Sequence, residues 1–304
     1  MMRGVFTIPV TPFDRSGEID EAGLRRCVAF CLDAGDHGLV APVNASEFTA
    51  LTDDERRQVA EIVVETAGGR VPVVIGVSGA TGRHASVFAR HARKIRADAV
   101  IAMPPYVRKA SPDEITEYFR VVAGAAELPV FIQNYQAPVG TPLSPAFMAR
   151  LVAGIDGVEY VKEETLPAGH AMTELLRLAG SRLKGVMGGM AGRFLMDEYR
   201  RGACGTMPAC EVTDVHVALW TALEAGDEPK ARRVFNRLLP LLNLEWLYGA
   251  VVYKEVLRRR GILESAAVRG PGLFTLDADD HRELDAILAD VGQLFTTAPL
   301  RPSA

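Results

Sequence analysis

Eight short apolar segments, each followed by an amphipathic stretch, recur at even spacing between residues 5 and 225, and this alternation limits the possible folds more than any other feature of the chain. Strands are expected at 5–10, 38–42, 71–77, 99–103, 129–134, 157–162, 183–187 and 202–207. Helices are expected near 21–34, 52–67, 81–97, 111–126, 144–153, 168–179, 191–201 and 213–225. Their starts carry local chemistry. Thr52 and Glu55 form a capping box, and Ser111-Pro112 supplies an N-cap followed by a proline at the first helical position. Strands that are apolar throughout, rather than alternately polar, belong to a parallel sheet covered by helices. Eight such units predict a (β/α)8 TIM barrel. A doubly wound sheet is the competing arrangement, but no GxGxxG follows the first strand. Gly226-Asp227-Glu228 then breaks the pattern, and helical periodicity resumes over 230–247, 249–260 and 277–295. The expected organisation is a barrel carrying the active site over 1–226 and a C-terminal helical extension over 227–304.

Composition removes several function classes. A formal net charge of −4 and a pI of about 5.9 give no electrostatic basis for binding nucleic acid or an anionic membrane. The Arg258-Arg259-Arg260 run stands beside Gly261, where cations complement a helix C-terminus, and is expected to be structural. No uncharged apolar stretch is long enough to span a bilayer, and the N-terminus enters a strand without a signal-peptide core. Cys27, Cys31, Cys204 and Cys210 show neither a CxxC pair nor zinc-ligand spacing. They are expected to be buried free thiols in a reducing cytoplasm. The six histidines are isolated, so no metal site is expected.

Among 34 basic residues only six are lysine, and Lys162 alone ends an apolar strand, Gly157-Val158-Glu159-Tyr160-Val161-Lys162. Lys94, Lys230 and Lys254 fall on helices, Lys109 in a loop, and Lys184 at the start of its strand. In a barrel of this kind catalytic groups sit at the C-terminal strand ends, so only Lys162 reaches the active face from a strand. An amine enclosed by barrel walls loses hydration, which favours its neutral, nucleophilic form; arginine cannot take that role. The ordinary alternative is a lysine extending from a strand end to solvent. The neighbouring strand ends argue for chemistry. Asn44, Ala45 and Ser46 form a small polar turn suited to a carboxylate. A neutral amine beside such a turn fits imine formation with a 2-oxo acid, with the covalent lysine adduct replacing any cofactor.

These motifs together resemble the dihydrodipicolinate synthase / N-acetylneuraminate lyase family of class I barrel lyases. The matching residues are Thr11-Pro12-Phe13, Asn44-Ala45-Ser46-Glu47 in place of Gly-Thr-Thr-Gly-Glu, Pro104 and Tyr106, Lys162-Glu163, and Gly202-Ala203-Cys204-Gly205. The resemblance runs from about residue 4 to 295 and implies that Lys162 forms the imine and that the chain assembles as a homotetramer or homodimer. It also places Tyr106 at the position of a relay tyrosine. The departures are informative. Gln133 stands where the family usually has a catalytic tyrosine, Asn44 where it has a relay threonine, and Pro138 where synthases carry a substrate-binding arginine. An amide cannot act as acid or base near neutral pH. Tyr135 shares the face of Gln133 by strand alternation, about 6–7 Å further on. Ile132-Gln133-Asn134-Tyr135-Gln136-Ala137-Pro138 and Lys162-Glu163-Glu164-Thr165 are locally similar to segments of L-2-keto-3-deoxyarabonate dehydratases.

The expectation is a cytoplasmic class I lyase acting on a small 2-oxo acid, with dehydration of a 2-keto-3-deoxy sugar acid preferred. The alternatives are an aldolase on such an acid, a pyruvate-condensing synthase, and a barrel that binds a small acid without turnover. Lys162, Gln133 and Tyr106 are the catalytic candidates; Asn44, Ala45, Ser46, Tyr135, Gly188 and Met207 are the substrate-binding candidates, with Ser46 able to offer its hydroxyl. Glu47 is expected to fix its loop or act as a base. Glu163 and Glu164 are expected to support the lysine or to be solvated.

Overall fold

The computed structural model describes residues 1–135, 141–270 and 274–300. Eight parallel strands close into a barrel in chain order: β1 Gly4–Thr7, β2 Gly38–Ala41, β3 Val73–Gly76, β4 Ala99–Ala102, β5 Val130–Tyr135, β6 Val158–Glu164, β7 Gly185–Gly188 and β8 Gly205–Thr206. The helices between them are α1 Glu21–Asp33, α2 Asp53–Ala67, α3 Gly82–Lys94, α4 Pro112–Ala126, α5 Pro145–Gly154, α6 Ala168–Ala179, α7 Leu195–Arg200 and α8 Thr213–Glu224. The C-terminal region adds α9 Glu228–Tyr248, α10 Ala250–Arg259 and α11 Ala278–Val291. The (β/α)8 barrel with a helical extension is therefore present. The chain divides into two compact units. One holds Met1–Arg3, Pro72–Met190 and Phe194–Met207, with β3 to β8 and α3 to α7; the other holds Gly4–Val71, Ala191–Arg193 and Pro208–Ala304, with β1, β2, α1, α2 and α8 to α11.

The helix starts follow their sequence signals. Thr52 and Ser111 each cap with a reciprocal glutamate three residues on, and Pro112 occupies the first position of α4. Three elements differ from the sequence pattern. β1 stops at Thr7 because Pro9 has no N–H for the ladder. β6 runs two residues past Lys162, since Glu163 and Glu164 keep register with Asn134 and Tyr135. α7 begins at Leu195 rather than near 191, because Met190 and Ala191 take left-handed φ values of 52° and 57°. The four cysteines are free and buried, and burial pushes the Cys204 thiol up to about 12. Among the described residues no helix is long and apolar enough to cross a membrane.

The basic run divides its work. Arg258 and Arg259 pair with Glu255 on their own helix, whereas Arg260 leaves α10 and is buried with Asp214. Its Nη1 and Nη2 donate to the two carboxylate oxygens at 3.0 and 2.8 Å, and Thr296 and Thr297 N–H groups complete the cage. Removing one member of a fully buried pair strands the other charge, at a cost of about 3–5 kcal/mol. Arg260→Met is expected to lower unfolding free energy by about that amount in urea titrations, and Asp214→Asn/Arg260→Met by clearly less.

Candidate active site

The pairing of β5, β6 and β7 assembles the site. Parallel register sets Gln133 beside Lys162, Asn134 beside Glu163, and Tyr135 beside Glu164; Met187 lies on the other side of Lys162 and Gly188 on the other side of Glu163. Successive side chains on a strand point to opposite faces, so Lys162, Glu164, Gln133 and Tyr135 share one face. Lys162 is 3% exposed and its Nζ lies 3.1 Å from Glu164 Oε1. Gln133 Nε2 donates to Glu164 Oε2 at 2.8 Å, and the Met190 N–H donates to Oε1 at 3.3 Å. Glu164 is thus neither solvated nor peripheral: it is the hub of the lysine's surroundings. Gly189 makes this possible, because a Cβ there would overlap the Glu164 carboxylate. Burial first, and the Glu164 charge second, push the Tyr135 phenol above its usual range.

The opposite face is supporting structure. Glu163 accepts from Asn134 Nδ2 at 2.8 Å and from the Thr165 N–H and hydroxyl at 2.7 and 2.5 Å. Asn134 also bridges to Leu143, accepting its N–H at 2.8 Å and donating to its carbonyl at 3.0 Å. Gly188 belongs to this face. Its missing side chain leaves room for Glu198 of α7, which corrects its assignment as a residue lining the substrate space beside Lys162. Met207, one of the substrate-binding candidates, is buried just past the end of β8.

The turn after β2 lies in the other unit. Asn44–Ser46 form a single 3-10 turn, closed by the Ser46 N–H on Val43 O and the Glu47 N–H on Asn44 O, both at 2.9 Å. The Ser46 hydroxyl donates to Pro9 O at 2.7 Å, while Thr11 Oγ1 donates to Ser46 O at 2.7 Å. Ser46 is fully buried, so its hydroxyl anchors the turn instead of offering itself to a ligand. Asn44 and Ala45 remain half-buried. Tyr106 is half-buried in the loop between β4 and α4, and Pro138 lies outside the described residues. Among the described residues no group of three or more His, Cys, Asp or Glu side chains is arranged to hold a metal ion.

Residues 1–291 match the sequence model of the Dihydrodipicolinate synthetase family. The chain belongs to that family. Its members include lyases of two kinds among the relatives of this chain, and the chain is a lyase-type enzyme rather than a passive binding barrel. It is 33% identical over 289 residues to the L-2-keto-3-deoxyarabonate dehydratase of Azospirillum brasilense, covering 94% of this chain and 93% of that protein. It is 30% identical over 295 residues to the 4-hydroxy-tetrahydrodipicolinate synthase of Chelativorans sp. (strain BNC1), covering 97% and 100%. Among solved structures it is similar to the dihydrodipicolinate synthase of Rhodopseudomonas palustris, with 28% identity, a TM-score of 0.87 and coverage of 95% and 97%. It is likewise similar to the E. coli K12 prophage protein YagE, solved in complex with pyruvate, with 26% identity, a TM-score of 0.88 and coverage of 97% and 99%.

Sequence reasoning missed Glu198. It sits on α7 at 1% exposure, with Oε2 unpaired, close enough to Glu164 and Glu163 to feel their charges. Burial, and then Glu164, Asp197 and Glu163, raise its carboxyl to about 8. Its signal lay in the glycine: Gly188 lacks the side chain that would fill this space. A carboxyl that holds its proton longer in the folded state makes the folded protein bind more protons than the unfolded one between its ordinary value near 4.5 and about 8. Stability must therefore fall as pH rises through that window and level off above it. Urea midpoints measured from about pH 5 to 9 are expected to show this decline, and Glu198→Gln is expected to flatten it. Gly189→Ala is expected to displace Glu164 and lower kcat by about 10²-fold or more, read from steady-state kinetics on the folded variant.

Proposed function

We propose that this enzyme is a class I dehydratase of a 2-keto-3-deoxy sugar acid, working through an imine on Lys162. The observation that carries this reading is the pairing of Lys162 with Glu164, at 3.1 Å, where the family resemblance leads one to expect a tyrosine-based relay. The Lys162 amine adds to the C2 ketone, whose oxygen leaves as water with two of the Nζ protons, so that no proton is left on Glu164. The protonated imine withdraws electrons from C2. Glu164, held within reach of Nζ and therefore of the atoms next to C2, takes the C3 proton and leaves an enamine. The enamine electrons return to expel the C4 hydroxyl, which departs as water with the proton that Glu164 gives back. Hydrolysis of the remaining imine restores Lys162. Every proton removed is returned, and one carboxylate suffices.

Gln133 holds Glu164 in place through Oε2 and leaves Oε1 facing the lysine. The C1 carboxylate is assigned to the turn at Asn44 and Ala45; the amide and hydroxyl of Ser46 are already engaged. Met207 supplies an apolar wall, and Tyr106 keeps the relay position that the resemblance gives it, without the tyrosine partner expected at Gln133. Retro-aldol cleavage needs a base on the C4 hydroxyl, and Tyr135, whose phenol is pushed up by burial and by Glu164, is a poor one. The similarity to a dehydratase and the segments around Gln133 and Lys162 support the same reading, while the similarity to synthases keeps pyruvate condensation as the second activity to assay. We propose a homo-oligomer working in the cytoplasm, without metal or organic cofactor.

Mass spectrometry of products from 2-keto-3-deoxy-pentonates and hexonates decides the reaction. A product lighter by one water is expected; pyruvate plus an aldehyde as the main products overturns the dehydratase reading. Lys162→Met is expected to abolish both turnover and borohydride trapping of pyruvate. Glu164→Gln is expected to retain trapping while kcat falls by about 10²–10⁴-fold, the range for loss of a general base.

A further inference from the structure

One residue ties the turn at Asn44-Ala45-Ser46 to the helical extension. Glu47 follows the turn immediately and holds a left-handed backbone at φ 55°, a conformation that a non-glycine residue keeps only when its surroundings impose it. Its carboxylate is gripped on both oxygens. Lys254 of α10, whose side chain is completely buried, forms an ion pair with Oε1, and the backbone N–H of Arg269 donates to Oε2 at 2.8 Å. The two basic side chains also share an aromatic floor: Lys254 Nζ and Arg269 Cζ each lie 4.2 Å from the centroid of the buried Phe13 ring. The remaining valences are fixed as well. Lys254 Nζ donates to Ala267 O at 2.7 Å, and the Arg269 guanidinium reaches Glu55 Oε1 and Gly17 O, each at 2.7 Å.

A loop glutamate needs no such partner, since water would solvate it. A lysine ammonium with no exposure is an expensive substitute unless its position matters, because burial works against its charge and Glu47 supplies the largest offset. The ring contact adds attraction that grows as water is excluded. The arrangement leaves Glu47, and with it the end of the turn, a single position.

We infer that Lys254 and Arg269 are positioning residues that act through Glu47 to fix the backbone of the 44–47 turn, and so set how strongly the enzyme prefers ketones bearing a carboxylate. This rests on the assignment of the substrate carboxylate to that turn. Neither residue touches substrate; their effect falls on KM and on selectivity, with chemistry at Lys162 untouched.

Borohydride trapping on Lys162 measures the preference directly, by comparing half-saturation for pyruvate with that for hydroxyacetone, a ketone without a carboxylate. Lys254→Met is expected to raise half-saturation for pyruvate about tenfold, to leave that for hydroxyacetone within twofold, and to raise KM for the keto acid far more than it lowers kcat. Because Lys254→Met strands a buried carboxylate, Glu47→Gln/Lys254→Met is measured beside it; its thermal midpoint is expected to recover while the loss of preference persists. Arg269→Ala is expected to shift pyruvate in the same direction by a smaller factor. Equal weakening of both ketones in the folded double variant, or no change in either, overturns the inference. Ala45→Pro separates the two readings. If it abolishes the carboxylate preference while Lys254→Met and the double variant keep it, only the inference fails; if Ala45→Pro keeps the preference, the carboxylate assignment fails and the inference falls with it.

Discussion

An ammonium group inside a barrel wall cannot be left alone, and most of what surrounds Lys162 follows from that constraint. Burying a charge costs several kcal/mol unless a counter-charge and hydrogen bonds replace the lost water. The partner must come from the same strand face, and the +2 position of β6 supplies it as Glu164. The carboxylate in turn needs its second oxygen satisfied, which Gln133 does from the neighbouring strand, and it needs empty space, which Gly189 provides. A tyrosine at 133 could donate only one hydroxyl to this network, whereas the amide presents its NH₂ to the carboxylate and keeps no proton of its own to exchange. Gln133 and Glu164 therefore work as one unit in this chain.

The barrel itself is legible in the sequence because it rests on repetition: eight strand-and-helix units give the same answer eight times, and an error at one end leaves the topology intact. Lys162 is legible for a related reason, as an ammonium closing a run that is otherwise largely apolar. Element ends are less so. The stop of β1 at Thr7 and the late start of α7 depend on Pro9 and on left-handed backbone at Met190 and Ala191, conformations that no periodicity encodes. For the turn, the pattern does not show which groups are already engaged. Ser46 carries a hydroxyl, but whether it faces a ligand or a carbonyl is decided by Pro9, distant in sequence. Gly188 stands among the substrate-binding candidates, but its open side faces Glu198, a distinction that one step along a strand reverses.

Charge placement explains why Glu198 escapes a reading of the sequence. Four titratable groups, Lys162, Glu163, Glu164 and Glu198, crowd around three strands and one helix, with a single cation among them. Such a cluster cannot ionise completely. The structure resolves it by pairing Glu164, by surrounding Glu163 with donors from Asn134 and Thr165, and by leaving Glu198 to keep its proton. Sequence alone shows the acids but not which of them lacks a donor.

The grip on Glu47 bears on how this enzyme can change over evolutionary time. Extensions that merely follow a barrel can be trimmed, exchanged or recombined between relatives with little loss. Here the last third of the chain carries the counter-ion for a loop near its beginning, so a chimera joined ahead of Lys254 would inherit a glutamate without its cation. The two ends of the polypeptide are obliged to vary together, and the natural unit of inheritance is the full span from the first strand through α10.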